Sequence, residues 1–179
     1  ALAWKIQQSP RCGRLFAAPG NPGIKQVAEC VPIQATDLDG LLAFARREQI
    51  GLTVVGPEAP LVAGIQDRFS QAGLMLFGPS QAASLIEADK EFALEFMHRH
   101  GIPTGWFRVF TSPQAAFEFI ECKGCPVVVK NPFLAGGKGS FVCLDPREVS
   151  VALFEIQKQQ RERPEGCRFL VMEHLRGEE

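Results

Sequence analysis

Lys130 closes an apolar run, Val127-Val128-Val129, and within a few residues the chain enters a glycine-rich stretch, Leu134-Ala135-Gly136-Gly137-Lys138-Gly139-Ser140, ahead of a second apolar run, Phe141-Val142-Cys143. The pattern reads as strand, loop, strand. Glycines let backbone amides approach phosphate oxygens and adopt turns that a Cβ forbids, and Lys130 and Lys138 bring the positive charge a triphosphate needs. A Walker A loop would require a glycine at the place of Pro132 and a helix after Ser140, where β-branched and aromatic residues stand instead. No Gly-x-Gly-x-x-Gly opens a helix after a strand, so a dinucleotide fingerprint is excluded as well. Two readings of the loop remain: a hairpin that clamps phosphates, and a glycine-rich β-turn that happens to carry a lysine.

Other reactive side chains carry weaker signals. Cys122-Lys123-Gly124-Cys125 has the spacing of a zinc or redox pair, but it follows a helical pattern and precedes a strand, where no helix N-terminus lowers a thiol pKa. No second Cys or His pair completes a zinc site, so Gly124 reads as a helix C-cap. His98 and His100 fall on different helix faces, which argues against a shared metal. The six cysteines lie scattered through a chain with 46% hydrophobic residues, enough for a core without disulfides, and read as reduced, mostly buried thiols.

At 179 residues the chain suits one large or two small domains, and its 22% charged residues are ordinary for a globular protein. Nineteen basic against 20 acidic residues give a formal charge of -1, which offers no surface for nucleic acid, so any phosphate contact must be local. No apolar run reaches the ~18 residues of a membrane span and the start is unlike a signal peptide, so a cytoplasmic location is expected.

The elements that must position these residues alternate. Strand candidates at Leu15–Ala17, Cys30–Ile33, Leu52–Val55 and Met75–Phe77 are interleaved with helical patterns at Leu38–Arg47 and Leu61–Gln71, which implies a parallel α/β sheet. Thr36 or Asp37 can cap the first of these helices, with Gly51 closing it and Gly73 closing the second. Ligands of such sheets gather beyond the strand carboxyl ends, where two loops stand out: Pro19-Gly20-Asn21-Pro22-Gly23 and Gly56-Pro57-Glu58-Ala59-Pro60-Leu61. Helical patterns at 81–87 and 90–100 lead to Gly101-Ile102-Pro103-Thr104, a helix stop and boundary candidate. A second α/β unit then runs through 106–110, a helix near 113–121, the two strands around the loop, a helix near 147–159 and a strand at 169–172. Lys158 to Glu165, highly charged, reads as a solvated loop.

Gly-Pro-Glu-Ala-Pro-Leu at 56–61, Phe-Gly-Pro-Ser at 77–80, Asp89-Lys90, His-Gly-Ile-Pro-Thr at 100–104 and the Val-Val-Val-Lys strand are specific in combination and order. Through them the chain closely resembles the phosphoribosylamine–glycine ligases, or glycinamide ribonucleotide synthetases, of the ATP-grasp superfamily, over essentially its whole length. The resemblance implies an α/β protein: a parallel-sheet, Rossmann-like pre-ATP-grasp domain at 1–88, a connecting helix and linker at 89–104, and the small α+β ATP-grasp subdomain at 105–179. It implies ATP-dependent joining of glycine to phosphoribosylamine through glycyl phosphate, a step of purine synthesis, with magnesium or manganese. Lys90 and Lys130 would contact the ATP phosphates and the loop Gly136, Gly137, Lys138 and Gly139 would cover them. The Met172 carbonyl and Leu175 amide would meet adenine, and Glu179 the ribose hydroxyls. Asn21, Pro57 and Glu58 would serve the phosphoribosylamine side. Each has a plainer alternative: Lys90 as an exposed helix lysine, Lys130 as a strand-end residue, Glu58 as an acidic helix start.

The chain departs from the family pattern in places. Asn131-Pro132-Phe133 follows Lys130 where the family usually continues x-Asp-Gly, Gly136 replaces alanine, Ser140 replaces valine, and the Phe-Gly-x-Ala-Gly flap is absent where Arg161 to Gly166 stands. The first strand and the Gly-Asn-Gly-Gly-Arg-Glu-His loop are expected upstream of Ala1, and the metal ligands beyond Glu179. Loss of that strand should leave two others without a neighbour. Two alternatives stay open, a degenerate nucleotide-binding module without catalysis and another ATP-grasp carboxylate–amine ligase. As a fragment the chain is expected to lack ligase activity, and measurable turnover by the purified 179 residues would overturn that expectation.

Overall fold

The computed structural model describes residues 1–164 and 166–177. The chain divides into two compact units, Ala1–Ser84 and a second that begins at Leu85. The first alternates short elements: α1 (Leu2–Gln7), β1 (Phe16–Ala17), a 3-10 turn (Ile24–Gln26), β2 (Glu29–Cys30), α2 (Leu38–Arg47), β3 (Thr53–Val54), α3 (Glu58–Val62), α4 (Ile65–Gln71) and β4 (Leu76–Phe77); the division falls within α5 (Gln81–Ala88). β1 pairs with β2 and β3 with β4, both parallel as the alternation implies. Among the described residues they form two separate pairs rather than one sheet, each strand contributing only two ladder positions. Leu38 and Ala45 of α2 and Ile65 and Phe69 of α4 make the buried centre.

One expected helix is two. The pattern over 61–71 is interrupted at Gly64, whose φ of +87° is left-handed, so α3 ends at Val62 and α4 restarts at Ile65. Gln81 fills the break, donating from Nε2 to the Val62 carbonyl at 2.9 Å while its own amide donates to Asp67 Oδ2 at 2.8 Å.

The second unit contains α6 (Lys90–Arg99), β5 (Phe107–Phe110), α7 (Pro113–Lys123), β6 (Val127–Lys130), β7 (Ser140–Cys143), α8 (Pro146–Gln159) and β8 (Phe169–Glu173). Side-chain caps set three helix starts: Asp89 for α6, Ser112 for α7 and Asp145 for α8 each accept from first-turn amides. The strands form an antiparallel sheet in the order β5-β8-β6-β7. α8 buries Val149, Ala152, Leu153 and Ile156, the i, i+3, i+4, i+7 stripe of an amphipathic helix, against Val127, Val129, Phe169 and Val171. It runs through Lys158 and Gln159 and ends at Gln160, which is only 2% exposed, so the charged stretch begins as helix and not as a solvated loop. The segment 89–104 is tied into this unit, with Asp89 bridging Phe133 and Arg168 Nη1 pairing with Glu91 Oε2 at 2.9 Å. No helix among the described residues is long and apolar enough to cross a membrane.

The cysteines are less buried than the composition suggests: Cys143 is buried, Cys122 is exposed and the other four are intermediate. Gly124 ends α7 with φ +87°, and all six cysteines are free. Burial pushes the Cys143 thiol up to about 11, with Glu148 adding to the effect. The Cys125 thiol is raised by burial and then by Asp145, which disfavours the thiolate that metal or redox chemistry uses.

Three helices end in the same way. After α2, α4 and α6 the chain turns back so that Ile50 N–H donates to Ala45 O, Leu74 N–H to Phe69 O and Ile102 N–H to Met97 O, each at 2.9 Å. This six-to-one bond requires a left-handed residue one place earlier. Gly73 (φ +71°) and Gly101 (φ +64°) supply it for α4 and α6, but α2 uses Gln49 at φ +52°, two places before the Gly51 expected to close it. A side chain costs about 1 kcal/mol in that conformation. Gln49 is exposed. Gln49→Gly should therefore stabilise the fold by about 0.5–1 kcal/mol, read as a raised urea midpoint at unchanged slope; a lowered midpoint would contradict this account.

Candidate functional site

The register of β6 determines where Lys130 points. Val127 and Val129 are fully buried beneath α7 and α8, so the period of two sends Val128 and Lys130 to the opposite face of the sheet. Across the ladder Lys130 stands opposite Leu170 in β8 and Ser140 in β7, and Val128 stands opposite Met172 and Val142. That face therefore carries an ammonium at one end, opposite the fully buried Leu170, and the half-buried, apolar Val128 and Met172 beside it. Leu175, 67% exposed, lies two residues past the end of β8.

Lys90 is brought to the same site by a short crossing of chain. Its amide donates to the Pro132 carbonyl at 2.7 Å, and its ammonium donates to the Phe133 carbonyl at 3.0 Å. Burial lowers the Lys90 pKa, and the positive charge of Lys130 lowers it further. Two lysines held this closely repel one another, and an anion placed between them would remove the repulsion.

The glycine loop closes the β6–β7 hairpin. Asn131 N–H donates to Gly139 O at 2.7 Å, extending the ladder by one step, and Lys138 N–H donates to Ala135 O at 3.0 Å, closing a turn. Gly136 (φ +55°) and Gly137 (φ +78°) occupy the middle of that turn, both in the region a side chain resists. Lys138 is exposed at the tip. Gly139 meets a different constraint: a Cβ there would approach Asn131 Cβ to 2.9 Å and Ala135 Cβ to 2.7 Å.

Residues that the sequence did not single out hold the base of the loop. Asn131, 3% exposed, donates from Nδ2 to Gln159 Oε1 at 3.0 Å, and its Oδ1 accepts from Phe133 N–H at 3.1 Å and Gln160 Nε2 at 3.2 Å. Gln159 Nε2 donates to the Lys138 carbonyl at 3.1 Å. The Phe133 ring lies under the Arg163 guanidinium, 3.4 Å from centroid to carbon, which fastens the stretch after α8 to the loop. The available signal was the pair of amides ending an amphipathic helix, which composition hid within a charged run.

Of the residues expected to act, Lys90, Lys130, Gly136, Gly137, Lys138, Gly139, Met172 and Leu175 all fall in the second unit. Glu179 lies outside the described residues. Asn21, Pro57 and Glu58 belong to the first unit. There the Asn21 Oδ1 is engaged by Ile24 N–H at 2.9 Å, Pro57 is the N-cap residue of α3, and exposed Glu58 begins that helix. Among the described residues no group of three or more His, Cys, Asp or Glu side chains could hold a metal ion.

This arrangement has known counterparts. The N domain of phosphoribosylglycinamide synthetase matches residues 1–87, and the ATP-grasp (A) domain of the same enzyme matches residues 88–179. A phosphoribosylamine–glycine ligase of Xanthomonas axonopodis is 48% identical over 100% of this chain, and one of Halalkalibacterium halodurans is 46% identical over 99%. The chain spans about 42% of the length of either relative. Among solved structures, phosphoribosylamine–glycine ligase from Thermotoga maritima superposes over 99% of this chain and 41% of its own, with a TM-score of 0.73 at 21% identity. Biotin carboxylase from Campylobacter jejuni shares the fold over 98% of this chain and 43% of its own, with a TM-score of 0.78 at 15% identity. With both domain matches in register and nearly half of its residues identical to those relatives, the chain belongs to the phosphoribosylglycinamide synthetase family.

Proposed function

We propose that this chain supplies the ATP-binding part of a cytoplasmic phosphoribosylamine–glycine ligase, which joins glycine to 5-phosphoribosylamine through glycyl phosphate and yields glycinamide ribonucleotide in purine synthesis. The observation that carries this reading is the half-buried Lys90 crowded by Lys130 at the mouth of a glycine turn, an arrangement suited to a polyphosphate. The ammonium groups would bind β- and γ-phosphate oxygens, the loop amides with Lys138 would cover them, and the Val128–Met172 floor would support the purine. The Met172 carbonyl, Leu175 amide and Glu179 carboxylate would meet the adenine edge and the ribose diol. Asn21, Pro57 and Glu58 would contribute to the phosphoribosylamine site. Magnesium or manganese would neutralise the phosphates, held by residues beyond Glu179. Partners on this reading are small molecules and not nucleic acid or membrane.

The departures from the family pattern in the loop, Asn131-Pro132-Phe133, Gly136 and Ser140, and in the stretch 161–166 motivate a second reading, a nucleotide-binding module without catalysis. Calorimetry with magnesium ATP addresses both readings. Lys130→Ala, at a half-buried strand end, should weaken ATP binding by at least about 10-fold at unchanged thermal stability, since a charged hydrogen bond contributes about 1.5–3 kcal/mol. Absence of ATP binding by the folded parent chain would overturn the proposal.

Lys90 adds a pH signature. Its pKa is lowered in the free protein, and bound phosphate favours the ammonium and raises it again, so binding on the alkaline side takes up a proton. Affinity should then fall as pH rises through the free-state pKa of Lys90. Calorimetry in two buffers of different ionisation enthalpy should register this uptake in the parent and lose it in Lys90→Met; equal uptake in both would assign the proton elsewhere.

A further inference from the structure

We infer that the carboxamides of Asn131, Gln159 and Gln160 form a latch that positions the glycine loop, and Lys138 with it, beside the two phosphate-binding lysines. The inference rests on the nucleotide-binding reading for its effect on affinity, but not for its effect on the loop itself.

A carboxamide has two donors and one acceptor oxygen, so three of them can cross-link several segments of chain at once. Here they do so with little left over. The Asn131 oxygen accepts from Phe133 N–H on the entry side of the loop and from Gln160 Nε2, while its Nδ2 donates to Gln159 Oε1. Gln159 in turn donates from Nε2 to the Lys138 carbonyl on the exit side. Gln160 completes the circuit toward β8, donating to the Arg168 carbonyl at 2.7 Å and accepting from the Arg168 amide at 2.9 Å. Asn131 and Gln160 are 3% and 2% exposed, and groups so buried are costly to leave unpaired, which gives the network one low-energy arrangement.

Steric contacts act with the hydrogen bonds. Gly139 is the residue that lets the returning strand lie against Asn131 and Ala135, and Gln159 Oε1 would be 3.6 Å from a Cβ at that position. Nothing lies within 4 Å of the corresponding positions at Gly136 and Gly137. The base is therefore clamped from three sides while the tip is open. Because Gln159 and Gln160 end α8, whose inner face is packed at Leu153 and Ile156, the loop takes its position from the core of the unit. These are positioning residues: none is placed to touch phosphate, and they act through the backbone that carries Lys138.

Gln159 is the residue to change, since its own side chain is exposed whereas Asn131 and Gln160 are buried, and a thermal melt checks that the variant is folded. In the 179-residue chain, Gln159→Leu should speed amide hydrogen exchange at Phe133 and Lys138 by about 3- to 10-fold without nucleotide, with exchange in β6 and β8 unchanged. It should weaken magnesium ATP by a similar factor and leave AMP, which lacks the β- and γ-phosphates, unaffected. Unchanged loop exchange in the variant would overturn the latch whatever ATP does. So would equal weakening of ATP and AMP, which would indicate general loosening. Faster loop exchange in a chain whose parent does not bind ATP would sustain the latch while the nucleotide reading fails, so the two failures are distinguishable.

Discussion

The alternation of β6 is the constraint on which the second unit depends. Val127 and Val129 must go inward to complete the apolar centre beneath α7 and α8, and that choice forces Lys130 outward. A slip of one residue would drive the lysine into a packed, nonpolar interior, at a cost of several kcal/mol for an unpaired charge, and would turn two valines to the open face. The same register fixes the hairpin, since Lys130 opposite Ser140 defines the residues left to form the loop. It also selects which side chains of β8 share the face with the lysine.

Any attraction for anions at this site must be local. A chain of net charge -1 has no long-range field with which to collect anions, and salt confines exposed charges to about 8 Å. Attraction for a polyphosphate must come from crowding a few cations where water is partly excluded. The short crossing at Asp89 and Lys90 achieves this by attaching the start of α6 to the entrance of the loop. The lowered pKa of Lys90 reflects burial first and the neighbouring Lys130 charge second.

Much of this was legible in the sequence because it depends on local rules. The helix at the place of α8, the Asp37 cap of α2, the strand–loop–strand reading around Lys130 and the parallel pairing in the first unit follow from periodicity and capping chemistry. Where the reading differed, the deciding interaction was distant in sequence or sterically unusual. Gln81 reaches back to Val62 at the break between α3 and α4, and Gln49 accepts a conformation that glycine takes at the ends of α4 and α6. Gln160 is buried because its amide meets Asn131 and Arg168, partners that no window of charged residues discloses. Lys90 and Lys130 were singled out as candidates by their motif, but the Phe133 carbonyl that the Lys90 ammonium engages became visible only in three dimensions.

The open tip of the hairpin has a thermodynamic consequence. Fixing a residue's backbone costs about 1–2 kcal/mol, so ordering all of residues 131–139 around a ligand would cost roughly 9–18 kcal/mol, more than a few phosphate contacts return. With the base already held, ordering only Gly136 and Gly137, which have open space around them, would cost about 2–4 kcal/mol, which one or two charge-assisted hydrogen bonds offset. On the nucleotide-binding reading proposed above, a hairpin held at its base would order around a triphosphate at that smaller cost.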